Sequence, residues 1–502
     1  GLSSTSNPTV QPPLGEFTGF TAAVMNFESG LNPARLQVYK DKYTDNTAVT
    51  YWETEVVNGI RYPKTDALGN LVCKRMSYQE YFDVLGVGAL FNKDTATEAT
   101  VKQMQYGSTN MLNFVGYQVG EAALMEAGYY TPPIDPVSNL PKYYIWTTEK
   151  FTQGVYEKQV TLDWGTKIVL TKTNTWSGTF TGKNGVSSLA DLKDPAKHEL
   201  MIQDVWMNNY SYIEKQLKAA NKTWSDVLNQ SWADNWTDSN GQAVSGTVSA
   251  SMSGVLAAAH LVGAQGVTDL LLTGARTSDE TNTGVLDYMR MFGGYKTPWG
   301  TDGSDSLQGS DYANKFYTKG GNDTVTTGAG ADTVVISKSA GSTTTLTDYD
   351  LSNDQVVLKG FANKDAGTLS AVADGVELTL ADAQKVLFKG ANLNALQAAL
   401  SQEVHYSSEY AMSWNGATEH NQVLSGFDLD YDKLVAPSGA AFGNLSVTAV
   451  GTGQVKLSFV KNQDGTTGSG YILNIAKADI TADLLSKIFV GISGAPTDAS
   501  GL

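Results

Sequence analysis

Cysteine is almost absent: Cys73 alone among 502 residues excludes an intrachain disulfide framework. Four histidines are too few for an evident zinc cluster. Basic residues are scarce too. The 35 Lys+Arg against 51 Asp+Glu leave a net charge of −16, which argues against nucleic-acid binding through a basic surface. No apolar run approaches the length of about 18 residues that reads as a membrane helix. No charged segment and apolar core follow Gly1, so no signal peptide is expected. Gly263-Ala264-Gln265-Gly266 lacks the Lys-Ser/Thr of a phosphate loop. No local motif suggests a Ser-His-Asp set. The 41% hydrophobic content is adequate for real cores, and the length suits roughly two to four domains.

What is present is a beat of glycine and aspartate. Gly-x-Asp-x-apolar occurs at Gly303, Asp305 and Leu307, at Gly321, Asp323 and Val325, and at Gly330, Asp332 and Val334. These starts are 18 and then 9 residues apart, so one nine-residue register is skipped. The skipped slot, 312–316, is a worn copy with Asn314 for Asp and Phe316 for the aliphatic residue. Glycine lets each turn take φ > 0, and the apolar residue is expected to point inward. Asp305, Asp323 and Asp332 are then expected to share one edge. Stacked carboxylates repel unless a cation lies between turns, and Ca2+ accepts carboxylate and backbone oxygens together. The candidate metal positions are Gly303, Asp305, Asn314, Gly321, Asn322, Asp323, Gly330 and Asp332. Asn314 weakens one site. A metal-free Gly/Asp-rich surface loop is the alternative, and three copies in phase weigh against it.

Residues 299–360 resemble the RTX, or haemolysin-type, repeat family, and 347–358 resemble the strand-rich cap that follows such repeats. The resemblance implies a parallel β-roll with Ca2+ as its cofactor. It implies export by the type I secretion apparatus of a Gram-negative bacterium, with an uncleaved C-terminal signal. The protein would then be extracellular or at the cell surface, unfolded in low cytosolic calcium and folded outside.

Along the chain, 1–15 reads as a Ser/Thr/Pro-rich flexible arm. The stretch 16–298 reads as a mainly helical domain with a β-rich insertion. Helix is expected at 97–112, 120–127, 188–217 and 253–260, after a short apolar segment at 21–27. Strands are expected at 51–57 and across 143–182. The β-roll and cap occupy 299–360. The rest, 361–502, reads as a duplicated β-rich region with the secretion signal. The duplication rests on three matches in one order: 348–356 with 426–434, 367–372 with 443–448, and the apolar 393–400 with 480–489. The fold class is α+β and multidomain.

A second signal lies near the start. Glu28 ends an apolar helix before Ser29-Gly30. Apolar surroundings raise a carboxyl pKa, as a general acid for glycosidic cleavage requires. A Glu at a helix end is also common without any such role. The segment 28–33 resembles the catalytic segment of lytic transglycosylases and goose-type lysozymes. The stretch from Gly116, Tyr117 and Gln118 to Leu124 resembles their cleft-lining segment. Residues 176–178, 208–213, 253–261 and 286–289 resemble lysozyme-like domains of phages and bacteria. The resemblance implies Glu28 as catalytic acid, Ser29 as its orienter, and Tyr117 and Gln118 beside the sugar. No second carboxylate stands at family spacing, which fits members that use substrate assistance or water attack. Glu121 is a candidate second acid, but a helix-start Glu set against the macrodipole is the simpler reading. His260 reads as a core or interface histidine. The chain departs from the pattern in its long 28–116 spacing, its strand-like insertion, its missing Gly-Leu-Met-Gln block and its acidic balance. Trp164, Trp176, Trp206, Trp224, Trp232 and Trp236 read as core before they read as a sugar platform.

Two functional expectations follow. One is a secreted, calcium-dependent, lysozyme-like glycoside hydrolase or lytic transglycosylase, with peptidoglycan or a related polysaccharide as partner. The other is a calcium-dependent surface-layer, filament or extracellular-matrix protein that reuses the lysozyme-like domain for self-assembly, with tail strand edges pairing between copies.

Overall fold

The computed structural model describes residues 15–499 apart from 164, 279–283, 362–366, 407–408, 430–431, 452 and 462–467. Of the arm expected over 1–15, residues 1–14 lie outside the described residues, as does Trp164. The architecture is mixed α/β, with many small sheets and, among the described residues, no closed barrel.

The first helix, Phe17–Glu28, buries Phe17, Phe20 and Val24, which recur at helical spacing on one face. It starts four residues before the apolar segment read from the sequence. Its Phe20 ring lies 5.4 Å from that of Trp206 on the long helix Pro195–Ala219. That helix starts with Pro at its first position, and Asp194 accepts a bond from the Ala196 amide. Its stripe of Ile202, Trp206, Tyr210, Ile213 and Leu217 faces the largest core. Helices Met252–Val262, Ala264–Thr273 and Val285–Phe292 complete that core, and Ala257, Ala258 and Ala259 let neighbours approach closely. Trp206 and Trp224 lie within it, while Trp176, Trp232 and Trp236 pack against it half-buried.

The helix expected over 97–112 stops at Gly107, because Ser108 is already extended and Asn113 takes φ 58° in the turn beyond. The insertion forms two antiparallel pairs, Val49–Trp52 with Cys73–Met76 and Thr54–Val57 with Ile60–Pro63. A further hairpin, Ser231–Thr237 with Ala243–Ser249, was not expected from sequence.

The repeats build two parallel sheets in alternation. Ser306–Gln308, Asp323–Thr326 and Thr343–Leu346 lie in one, and Lys315–Tyr317, Thr333–Ser337 and Gln355–Lys359 in the other. Pairing steps by 18 residues at Leu307↔Val325 and Phe316↔Val334. It then steps by 21 at Val325↔Leu346 and 22 at Val334↔Val356. Leu307, Phe316, Val325, Val334, Leu346 and Val356 share one core, none more than 3% exposed. The worn slot is therefore a full strand, with Phe316 filling the interior.

The chain continues through antiparallel Thr368–Val372, Gly375–Thr379 and Lys385–Lys389, then helix Leu393–Glu403. Strand Val404–Tyr406 then returns parallel to Gln355–Lys359. The same order recurs. Lys433–Val435 leads to antiparallel Leu445–Gly451, Gln454–Phe459 and Tyr471–Leu473, then helix Ala482–Ile488. Phe489–Val490 returns parallel to Lys433–Val435. The entry turns match as well: Asp350 N donates to Asp354 Oδ2, and Asp428 N to Asp432 Oδ2. The repeat core runs on to Leu400, and a separate core begins at Met412. The expected boundary at 360 thus falls within the stretch of chain that shares the first core, because Lys385–Lys389 joins the repeat sheet beside Thr343–Leu346.

Candidate calcium sites and an adjoining cleft

Each coil of the repeats contains two nonamers, so consecutive turns face opposite ways. Asp305 and Asp323 meet on one edge, where Asp323 Oδ1 accepts the Asp305 amide at 2.8 Å. Asn314, Asp332 and Asp354 meet on the other. There Asp332 Oδ1 accepts the Asn314 amide at 2.8 Å, and Asp354 Oδ1 accepts the Asp332 amide at 2.9 Å. The single shared edge expected from sequence is thereby corrected to two.

Asp323 and Asp332 are 2% and 1% exposed. In each, Oδ2 is buried with no hydrogen-bond partner. Burial pushes both carboxyls up to about 8, and neighbouring carboxylates add to it: Asp305 for Asp323, and Asp354, Asp348 and Asp350 for Asp332. A buried oxygen of this kind is costly without a proton or a cation. The turns also bring backbone oxygens close. A Cβ on Gly321 would lie 2.4 Å from Gly303 O, one on Gly309 2.4 Å from Thr327 O, and one on Gly328 2.5 Å from Ser310 O. Gly321 and Gly330 also need their φ of 77° and 93°. Among the described residues no three Asp, Glu, His or Cys side chains converge on a point. A cation here would therefore draw on carbonyls as well as carboxylates, which suits Ca2+. Asp305 and Asp323, with the Gly303 and Gly321 backbone, would serve the first edge. Asp332, with the Gly330 backbone, would serve the second.

Two of the sequence candidates have other work. Asn322 Oδ1 accepts the Thr343 amide at 2.8 Å, so its side chain ties two turns together. Asn314 Oδ1 accepts the Ser310 amide at 2.8 Å, and its Nδ2 donates to Gln203 Oε1 at 3.3 Å. The worn copy is where the repeats dock on the long helix. Gln203 Nε2 donates to Ala313 O, the Tyr210 hydroxyl to Gly300 O, and Lys319 pairs with Glu214 at 3.1 Å. The nine-residue beat missed Asp348 and Asp354 because the spacing lengthens there. Asp348 receives the Thr327 and Gly328 amides.

The residues of the other predicted site make contacts of their own. Glu28 is buried at the end of the first helix. The Ser29 hydroxyl bonds the Leu31 backbone, the Tyr117 hydroxyl donates to Glu199 Oε1 at 2.6 Å, and Gln118 accepts from Asn110. Glu121 is fully buried. Its carboxylate accepts from the Tyr130 hydroxyl and the Thr175 amide, each at 2.8 Å, so it ties a loop to its helix start. Burial pushes it up to about 7. His260 Nε2 donates a hydrogen bond to Tyr117 O at 2.6 Å, a structural tie between two segments of the core.

A buried carboxylate, Glu199, lines a large cavity. A cleft of about 580 Å3 opens between the helices Phe17–Glu28 and Glu98–Gly107, the start of the long helix and the repeat turn at Ser310 to Tyr312. Glu28 is not among the residues lining it. Glu199 Oε1 accepts both the Tyr106 and Tyr117 hydroxyls at 2.6 Å. Burial raises its pKa, and the two phenols act against that rise. The sequence carries one faint sign of this site: Glu199 and Gln203 are polar residues one turn apart on the buried face of an amphipathic helix.

Residues 299–334 match the family model of the RTX calcium-binding nonapeptide repeat in four copies. That span holds four nonamers, so the worn slot is one of them. RTX nonapeptide repeats bind Ca2+. They indicate a secreted or extracellular protein of Gram-negative bacteria and are consistent with type I secretion. No curated protein and no solved structure gives a significant match. The resemblance of the N-terminal part to lysozymes has no family or structure match behind it, and glycan cleavage at Glu28 has no support from one either.

Proposed function

We propose that this is an exported protein whose repeats fold on Ca2+ outside the cell and thereby fix the helical part and the paired β units in one body. Asp305 and Asp323 would hold an ion on one edge, and Asp332 with its neighbouring turn on the other. At low calcium these carboxylates repel and the turns do not stack. The docking surface for Gln203, Tyr210 and Glu214 is then unformed. The observation that carries this reading is the pair of buried, partnerless oxygens, Asp323 Oδ2 and Asp332 Oδ2, one on each edge.

The test is a calcium titration of chelator-treated protein, followed by far-UV circular dichroism and thermal melting. Calcium should raise the melting temperature in wild type. Asp323→Ala and Asp332→Ala should each remove part of that rise, and the double variant most of it. Melting that is the same with chelator and with calcium would sink the reading.

A further inference from the structure

We propose that the cleft beside Glu199 binds a neutral oligosaccharide and that the calcium repeats supply one of its walls. The calcium dependence rests on the function proposed above, whereas the ligand class rests on the cleft. Its volume, about 580 Å3, suits a small ligand, since such sites span about 300–1,000 Å3.

The lining is rich in neutral hydrogen-bonding groups, among them the amides of Asn26, Asn32 and Gln103 and the phenols of Tyr106 and Tyr312. A ligand carrying many hydroxyls satisfies such groups, and an apolar one leaves them unpaired. Glu98, Glu199 and Asp311 against Lys102 disfavour an anionic ligand. The polar groups are also held in place. Gln105 Nε2 donates to Asn26 Oδ1 at 2.8 Å and to Leu31 O at 2.7 Å, which sets the Asn26 amide. Glu199 is gripped by two phenols on one oxygen. A site pre-arranged in this way loses little ordering entropy when it binds.

The fourth wall belongs to the repeats. Ser310, Asp311 and Tyr312 precede the worn strand in the turn whose Asn314 amide is held by Asp332 Oδ1. Gly328, in the next turn, packs directly on Ser310 O. When the stacked turns are not formed, the Tyr312 wall is missing and the cleft lies open on that side.

The test is isothermal titration of the full calcium-loaded chain with chitotetraose, cellotetraose, maltotetraose and xylotetraose. At least one should bind, and chelation should abolish that binding. Glu199→Gln and Asn26→Ala should each weaken it by about tenfold or more, with calcium uptake unchanged. Lack of heat from all four sugars in a protein that takes up calcium overturns the proposal. So does binding that both variants leave intact. Binding that survives chelation overturns the calcium-built wall. Failure of calcium uptake in the same samples marks a failure of the folding function instead.

Discussion

Removing the ammonium of Lys359 should unlock the two C-terminal β units from each other. Lys359 ends the last repeat strand, and its Nζ lies 2.5 Å from Asp432 Oδ1, with the two side chains 9% and 0% exposed. Asp432 Oδ2 meanwhile accepts the Asp428 amide at 2.8 Å. The first unit has the same turn, but there Asp354 Oδ1 takes a backbone amide, that of Asp332. In the second copy a lysine from the first stands in that place. At an effective dielectric of about 20, the pair attracts by about 6–7 kcal/mol gross. Taking each ion out of water costs several kcal/mol, so the net contribution is close to zero. Breaking the pair is a different matter, because it strands a buried charge. Lys359→Met should therefore cost about 3–5 kcal/mol. Lys359→Met with Asp432→Asn keeps an acceptor for the Asp428 amide and should recover most of that loss. The assay is urea denaturation in saturating calcium, with wild type, both single variants and the double variant forming a cycle. A single variant costing under about 1 kcal/mol, or a double variant no better than the single, would refute this account of the pair.

Gly321→Ala should cost more than about 2 kcal/mol, from positive φ and the clash with Gly303 O. Gly341→Ala, with φ 72° but nothing within 4 Å, is the control and should cost about 1–2 kcal/mol. Equal costs in thermal melts would remove the stacking argument. His198 is fully buried, and desolvation pushes its pKa down to about 4, opposed by its bond to Leu192 O. The folded pKa lies below the unfolded value near 6.5, so this contribution is intact above about 6.5 and lost as pH falls toward 4. About 2 kcal/mol should disappear between pH 7 and 5. His198→Gln should remove that component, and parallel wild-type and variant pH curves would contradict it. Asn314→Asp places a carboxylate against Gln203 Oε1 and should destabilise the docked protein by about 1–3 kcal/mol in excess calcium. Unchanged stability on denaturation would refute the docking role.

The sequence made the repeats legible because their physics is local. A glycine that must turn, an aspartate and an inward aliphatic residue recur within five positions, so Asp305, Asp323 and Asp332 could be named. The alternation of edges was not legible from those triplets, since it depends on which sheet the following strand joins. Asp354 was hidden for a related reason: the step lengthens from 18 to 22 residues and breaks the phase. The paired β units were visible as three matches in order, and the element order recurs in the fold. The cleft was not visible at all. Glu199 meets Tyr106 and Tyr117 across 93 and 82 residues, and no short motif encodes such a meeting. Glu28 drew attention because its neighbours in sequence form a compact phrase, yet the hydrogen bonds of Ser29, Tyr117 and Gln118 run elsewhere.

The two-nonamer coil constrains how this chain can change length. Inserting or deleting a single nonamer reverses the parity of every strand after it. Lys359 would then emerge on the sheet opposite its present one, facing away from Asp432. Inserting a pair restores parity, but the docking turn with its Lys319–Glu214 pair is spared only beyond Lys319. An earlier pair would part Gly300 from the Ala313–Asn314 turn, which Tyr210 and Gln203 of one rigid helix hold together. A later pair would part the same helix from the second β unit, where Asn208 meets Asn474 at 2.8 Å and Lys215 meets Asp479 at 2.6 Å, so the number of coils is fixed from both ends.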